Sequence, residues 1–343
     1  MKILAITTMR NEGPHCLEWF AHHKAIGVEH FLVYSNGCDD GTDLILDALA
    51  KAGIVSHVRL ATEGKKSLQW RAFNHASDLE LYKAADWVLV ADCDEFTNLR
   101  KPLTGLPQLI ESLPNPVDAM AIPWRLFGNS GHVQMPKGLT TEHFVNAAPL
   151  GINLPLAHFF KSMFRPRAFR QIGVHRPKKR NNTNPVWVDG GGNLLPENFG
   201  EQDNRINLYG LPVSSDIVQL NHYSLRSAEN FMVKRARGLP NHMDREIGLG
   251  YWVERNFNSV PDSTIHTMLP GTRRELNKLL KIPGIAELRQ SAVVWHGDKF
   301  NALMLDRKEV QLFWQISLCT GSHPPSVELA TAQIKRITAI QQN

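Results

Sequence analysis

The sequence predicts an α/β protein: a mostly parallel central sheet flanked by helices, with a helical extension at the C-terminus. Three observations carry that prediction. Over the first 125 residues short apolar runs alternate with helical stretches, the pattern of strand–helix–strand crossovers that cover a parallel sheet on both faces. Between about 126 and 215 the periodicity fades and Gly, Pro and Asn become frequent, as in loops that carry a binding site. After "LNHYSLRS" the spacing turns helical.

The elements follow in order. "KILAITT" reads as a first strand. Residues 14–26 read as a helix, with Pro14 in its first turn, Cys16, Leu17, Phe20 and Ala21 on one face, and Gly27 as its stop. "HFLVYS" is a second strand, closed by the turn-rich "NGCDDGT". A helix over 42–52 ends at Gly53, "IVSHVRL" is a third strand, and a helix covers about 67–84. "DWVLVAD" is the fourth strand, "LPQLIESL" a short helix and "DAMAIPW" the fifth strand. Further on, Ser227 and Asn230 offer an imperfect capping box, and 272–281 and 326–340 read as helices. The expected division is 1–225 for the sheet domain and 226–343 for the helical extension.

The chain has 343 residues, 43% hydrophobic and 21% charged, with a formal net charge of +5, values ordinary for a soluble globular protein. The excess is mild, with one cluster at "HRPKKR" (His175 to Arg180). A nucleic-acid binder would show more basic residues interleaved with aromatics, so nucleic acid is excluded as partner. The cluster reads as a solvated loop, a phosphate-binding element or a contact with an anionic membrane surface. No apolar run approaches the roughly 18 residues a span needs. The start turns polar too soon for a signal peptide. Four scattered cysteines without a CxxC pair favour a reducing cytoplasm over a zinc or disulfide framework.

The chemistry gathers at "VLVADCDEFT". A buried strand ends in Asp92, Asp94 and Glu95, and like charges so close repel. In open α/β sheets ligands bind beyond the carboxyl ends of the strands. Aspartates at i and i+2 there can reach one hard cation, Mn²⁺ or Mg²⁺, whose remaining ligands often come from phosphates. The bland alternative is a pair of exposed caps. Cys93, between them, is expected to point into the core.

The stretch "TTMRNEGPHCLEWFAHHKAIGVEHFLVYSNGCDDGT" carries Asn11-Glu12, Leu17-Glu18-Trp19, His23, Gly27-Val28, His30-Phe31, Asn36 and Asp40-Gly41-Thr42. With "DCDEF", "WRLFGNSGH" and "NHYSLRSAENFMVKRARG", this pattern resembles GT-A-fold glycosyltransferases, specifically the bacterial family-2-like group related to family 92. The resemblance spans about residues 1–240. It implies a GT-A-like fold over 1–225, a nucleotide-sugar donor of UDP type, and a glycan or lipid-linked acceptor.

Residue by residue, the resemblance places Thr8, Arg10 and Glu12 around the nucleoside and Asn36 near the base or ribose. Asn11 and Glu12 are equally suited to capping the helix start. Gln69, Arg71 and Asn74 lie on the third helix, with Arg71 and Asn74 on one face. Arg71 is a fork for the donor phosphates, and Lys66 is a second candidate or a solvated lysine. Asp92 and Asp94 become the metal-bridging pair, with His222 completing the metal shell; Glu95 binds there too or pairs with an arginine. Lys161, Arg165 and His175 are expected to close over the diphosphate or bind the acceptor. For the catalytic base, Asp203 or Glu201 is expected, either of which could also be a helix cap.

Two other enzyme readings fit less well. A phosphatase using DxD would place it after the first strand, and a nucleotidylyltransferase would carry a Gly-rich loop after strand one, which "TTMRNEG" lacks. A noncatalytic sugar- or nucleotide-binding relative of the same fold is the alternative from another class. The expected activity is metal-dependent glycosyl transfer with inversion, in the cytoplasm or at the inner face of the membrane.

Overall fold

A computed structural model describes residues 1–61, 67–181, 184–238 and 247–341. The expected Lys66 contact lies outside the described residues. Nine strands form the central sheet: β1 (Ile3–Met9), β2 (His30–Ser35), β3 (Val55–Arg59), β4 (Trp87–Val90), β5 (Glu95–Leu99), β6 (Ala119–Leu126), β7 (Phe160–Phe164), β8 (Trp187–Val188) and β9 (Val218–His222). Their order is β3-β2-β1-β4-β7-β6-β9-β5, with β8 pairing the start of β6. The first half is parallel, and β7 and β5 run antiparallel to their neighbours. The predicted architecture, a mostly parallel α/β sheet flanked by helices, is the one the chain adopts.

The helices named in the argument are α1 (Cys16–Ala25), α2 (Thr42–Lys51), α3 (Leu68–Asp78), α4 (Leu106–Ser112), α5 (Ala228–Arg237), α6 (Leu269–Leu280), α7 (Ile285–Leu303), α8 (Arg307–Leu318) and α9 (Val327–Gln341). Helix α1 is buried almost all round, from Cys16 to His23, because it lies between the sheet and α6. Its His22 spans that seam, with Nε2 2.8 Å from the Thr97 carbonyl oxygen of β5 and Nδ1 3.3 Å from Thr272 Oγ1 of α6. Glu18, on the same helix, accepts from the backbone N–H groups of Thr140 and Thr141 and from the Thr141 hydroxyl. One buried carboxylate thus pins the middle loop to the sheet domain.

Strands β5 and β7 were among those not legible in the sequence. β7 is "FKSMF", buried at every position; Lys161 and Ser162 break the apolar run that would have marked it. β5 begins inside the acidic motif at Glu95 and pairs with β9 so that Glu95 stands opposite His222. Residues 265–292 of the expected C-terminal extension share the sheet's main core, through Ile265, Leu276, Leu279, Ile285 and Ala292. Leu225, Phe231, Trp252 and Ile316 form a smaller cluster of their own. Among the described residues, no helix is long and apolar enough to cross a membrane.

Candidate functional site

A cavity of about 500 Å³ opens where β1, β2 and β4 end. Its walls come from several elements. Thr8 is at the end of β1, Arg10 and Glu12 follow it, and Asn36 follows β2. The β1 loop is held by the turn after β2: Asp40 accepts from the Gly13 and Thr42 N–H groups and from the Thr42 hydroxyl, while Thr42 Oγ1 accepts from the Glu12 N–H. Gln69 enters from α3, and Asp92, Cys93 and Asp94 from the tip of β4. Trp124, Phe159, His175 and His222 supply an aromatic wall, with the Trp124 and His222 rings 4.3 Å apart and Phe159 stacked on His175 at 5.1 Å. Lys234, Arg235 and Arg237 of α5, with Tyr251 and Arg255, close the last side.

The acidic tip is folded into a tight turn. The Glu95 N–H donates to the Asp92 carbonyl at 3.0 Å, and Glu95 Oε2 accepts from the Asp92 N–H at 2.7 Å. Glu95 is fully buried, and burial pushes its carboxyl well above the usual carboxylate range. Cys93 is buried in the main core, as alternation predicts. The two aspartates each face a lysine. Lys161 Nζ lies 2.9 Å from Asp92 Oδ2 and 3.6 Å from Glu95 Oε2, with no exposed side-chain surface. Lys234 Nζ lies 2.7 Å from Asp94 Oδ2 and also donates to the Ser224 carbonyl at 2.8 Å. Burial alone would raise Asp94, yet the Lys234 ammonium, with His222 and Arg226, holds its carboxyl well below the usual range. Burial works against both ammonium groups too, and the carboxylates beside them raise both above the ordinary lysine value.

A second ion cluster ties α5 to the β1 loop. Arg237 Nη2 lies 2.6 Å from Glu12 Oε1, and Arg226 Nη1 3.4 Å from Glu12 Oε2. Arg237 also donates to the carbonyls of Arg10 and Asn11, and Arg10 donates to the Gly37 and Arg237 carbonyls. Glu12 is therefore a clamp as much as a cavity residue. The helix that carries Arg237 is fixed by the expected capping box: Ser227 Oγ accepts from the Asn230 N–H, and Asn230 Oδ1 accepts from Ser227.

A family model described as glycosyltransferase family 92 matches residues 8–237, more than half of the chain. The chain belongs to glycosyltransferase family 92. Two plant members of the family, from Ricinus communis and Oryza sativa subsp. japonica, are each 29% identical to it, over 175 and 164 residues. The alignments cover 49% and 47% of this chain but 29% and 26% of those proteins, so the family-92 chain spans less than a third of either relative. Among solved structures, S. aureus TarS 1–349 in complex with UDP aligns at a TM-score of 0.34 with 14% identity, covering 88% of this chain and 89% of that one. The galactosyltransferase LgtC, in complex with donor and acceptor sugar analogs, aligns at 0.33 with 11% identity, covering 65% and 87%.

Of the residues the sequence singled out in this family-92 chain, the fold brings Thr8, Arg10, Glu12, Asn36, Gln69, Asp92, Asp94, His175 and His222 to one cavity. Lys161 sits beneath it, on Asp92. Others go elsewhere. Arg71 donates to the Ala61 carbonyl and Asn74 accepts from Gln171, and neither lines the cavity. Arg165 is at the far end of β4, its guanidinium 4.5 Å over the Trp87 ring and its Nε on the Val117 carbonyl. Asp203 accepts from the Lys179 N–H and lies 3.6 Å from Arg180, and Glu201 ends a short helix, Glu197–Glu201; neither lines the cavity, although Ile206 does. Sequence reasoning assigned no role to Lys234, Arg237 or Trp124. Lys234 and Arg237 are three apart on a helix, hence on one face, and that spacing was the available signal.

The donor set can be tested against the expected divalent ion. Asp92 Oδ2 is taken by Lys161, and Asp92 Oδ1 accepts from Gln69 Nε2 at 3.3 Å. Asp94 Oδ2 is taken by Lys234, and Asp94 Oδ1 is 3.7 Å from His222 Nε2. The buried His222 nitrogen without a partner is Nδ1, not the one nearest Asp94. No group of three or more His, Cys, Asp or Glu among the described residues is arranged to hold a metal. A dication and an ammonium about 4 Å apart repel by about 8 kcal/mol at an effective dielectric near 20. Lys161, fully buried, has no solvent to swing into. As arranged, these residues do not fit Mn²⁺ or Mg²⁺.

Proposed function

We propose that the chain transfers a glycosyl group from a nucleotide-sugar donor, held in this cavity, to a hydroxyl of a glycan or lipid-linked acceptor. The observation that carries the reading is a single one: in a family-92 chain, the strand ends gather a concave site lined by aromatic rings and by five cationic side chains, Arg10, Lys234, Arg235, Arg237 and Arg255, against three carboxylates. A diphosphate suits that excess of positive charge. The nucleoside belongs against Thr8, Arg10 and Asn36, where the loops after β1 and β2 are locked together. The sugar belongs toward Trp124 and His175, because ligand sites pair apolar walls with a few placed polar groups. As the leaving diphosphate gains charge in the transition state, cations already fixed around it stabilise that state more than the ground state. A direct displacement with inversion, a UDP-type donor, a cytoplasmic location and contact with the membrane surface belong to the same proposal.

The test is a panel of nucleotide sugars with the purified protein, read by release of nucleoside diphosphate and by the anomer of the product in NMR. Turnover of one donor with an inverted product supports the reading. Binding without turnover points to a noncatalytic relative. No binding to any donor ends it.

A further inference from the structure

We infer that Lys161 and Lys234 stand where a divalent cation was expected, so that the cavity holds the donor's diphosphate on side-chain cations and Asp94 is a positioning residue for Lys234. The inference rests on the nucleotide-sugar reading above and specifies how that ligand is gripped. Three observations support it. First, both aspartates of the motif are already compensated, at 2.9 Å and 2.7 Å, by a fully buried lysine and a part-buried one. Second, the two lysines divide the work by position. Lys161 has no exposed surface and neutralises Asp92 from below, whereas Lys234 lines the cavity. Third, Lys234 uses two of its three donors, on Asp94 and on the Ser224 carbonyl. No third hydrogen-bond acceptor meets this ammonium among the described residues; the Tyr251 ring lies 5.8 Å from it at the cavity wall. Arg237, one helical turn on, is anchored by Glu12 in the same manner. The acids of the site thus aim cations, and a phosphate oxygen meets pre-oriented donors.

The experiment needs only the full chain. Binding of UDP, GDP and inorganic pyrophosphate is measured by calorimetry, once in EDTA and once in MnCl₂. Binding of Mn²⁺ alone is followed by the EPR signal of the free ion. The expected result is a nucleotide affinity that differs by less than about threefold between EDTA and Mn²⁺, and no Mn²⁺ site that Asp94→Asn removes. Lys234→Gln is expected to raise the dissociation constant about tenfold or more, the value of one charge-assisted hydrogen bond. Lys234→Arg is expected to recover part of that loss, with folding of each variant checked by its melting curve. If nucleotide binding requires Mn²⁺, or if Lys234→Gln creates tighter Mn²⁺ binding without weakening nucleotide binding, the inference is overturned while the donor reading stands. If no probe binds in either buffer, both fall together.

Discussion

Replacing Lys161 by methionine keeps the aliphatic stem of a fully buried side chain and removes its charge. Two carboxylates then lose a cation, at 2.9 Å and 3.6 Å. Breaking a buried pair by deleting one partner costs about 3–5 kcal/mol. Asp92 is 37% exposed and water will screen it, so its share is discounted. Glu95 has no exposed surface, and burial already pushes its carboxyl well above the usual range, so without the ammonium it takes up a proton rather than staying charged. The expected cost of Lys161→Met at neutral pH is therefore at the lower end, about 3 kcal/mol. Adding Glu95→Gln in that background removes the stranded carboxyl and is expected to return about 1–2 kcal/mol, although the same change in the native background costs stability. Urea denaturation of the four proteins gives the cycle directly. If Lys161→Met costs less than about 1 kcal/mol, or Glu95→Gln has the same effect in both backgrounds, the charge accounting at this turn is wrong.

Three further outcomes are expected. Glu18→Ala leaves the buried N–H groups of Thr140 and Thr141 without their acceptor, which should lower the unfolding free energy by about 2–4 kcal/mol in chemical denaturation. His22 is held by burial at about 4 against an ordinary value of 6.5. The unfolded chain therefore takes up the proton first, and stability is full near neutral pH and drains as pH falls from about 6.5 toward 4. His22→Asn should flatten the stability profile between pH 7 and 5 by about 2 kcal/mol, and an unchanged slope would show that His22 does not titrate as its burial dictates. Asp203→Asn should leave turnover within about twofold, because its partners are Lys179 and Arg180 outside the cavity; a loss of a hundredfold or more would restore it as general base.

Much of the fold could be read from local chemistry. β1, β2 and β4 announce themselves because each buries a nearly continuous run, α2 because it buries one face, and Gly27 and Gly53 end helices with φ of 105° and 74°. β7 and β5 were hidden for the opposite reason. Their buried residues include Lys161, Ser162, Glu95, Thr97 and Asn98, which look like surface residues until the partner strand and the lysine–carboxylate pairs are in place. The C-terminal segment carried too little pattern to show that Ile265 to Ala292 enter the main core.

The site was legible in its members and not in its charge. The acids stand within four residues of one another, so their repulsion is visible in the sequence and calls for a compensating ion. The lysines that compensate them are 69 and 140 residues away along the chain, one inside a strand that does not look like a strand and one on a helix that reads as an ordinary amphipathic face. Only the fold pairs β7 with β4 in the sheet and brings α5 to the tip of β4. Sequence-adjacent charges bias a reading toward whatever cancels them from outside, a metal or solvent, because distant partners have no local signature. The relevant quantity is the sum over the folded cavity, where cationic side chains outnumber carboxylates five to three. That sum is what the proposed diphosphate site requires, and the two aspartates of the motif are what Lys161 and Lys234 are paired with.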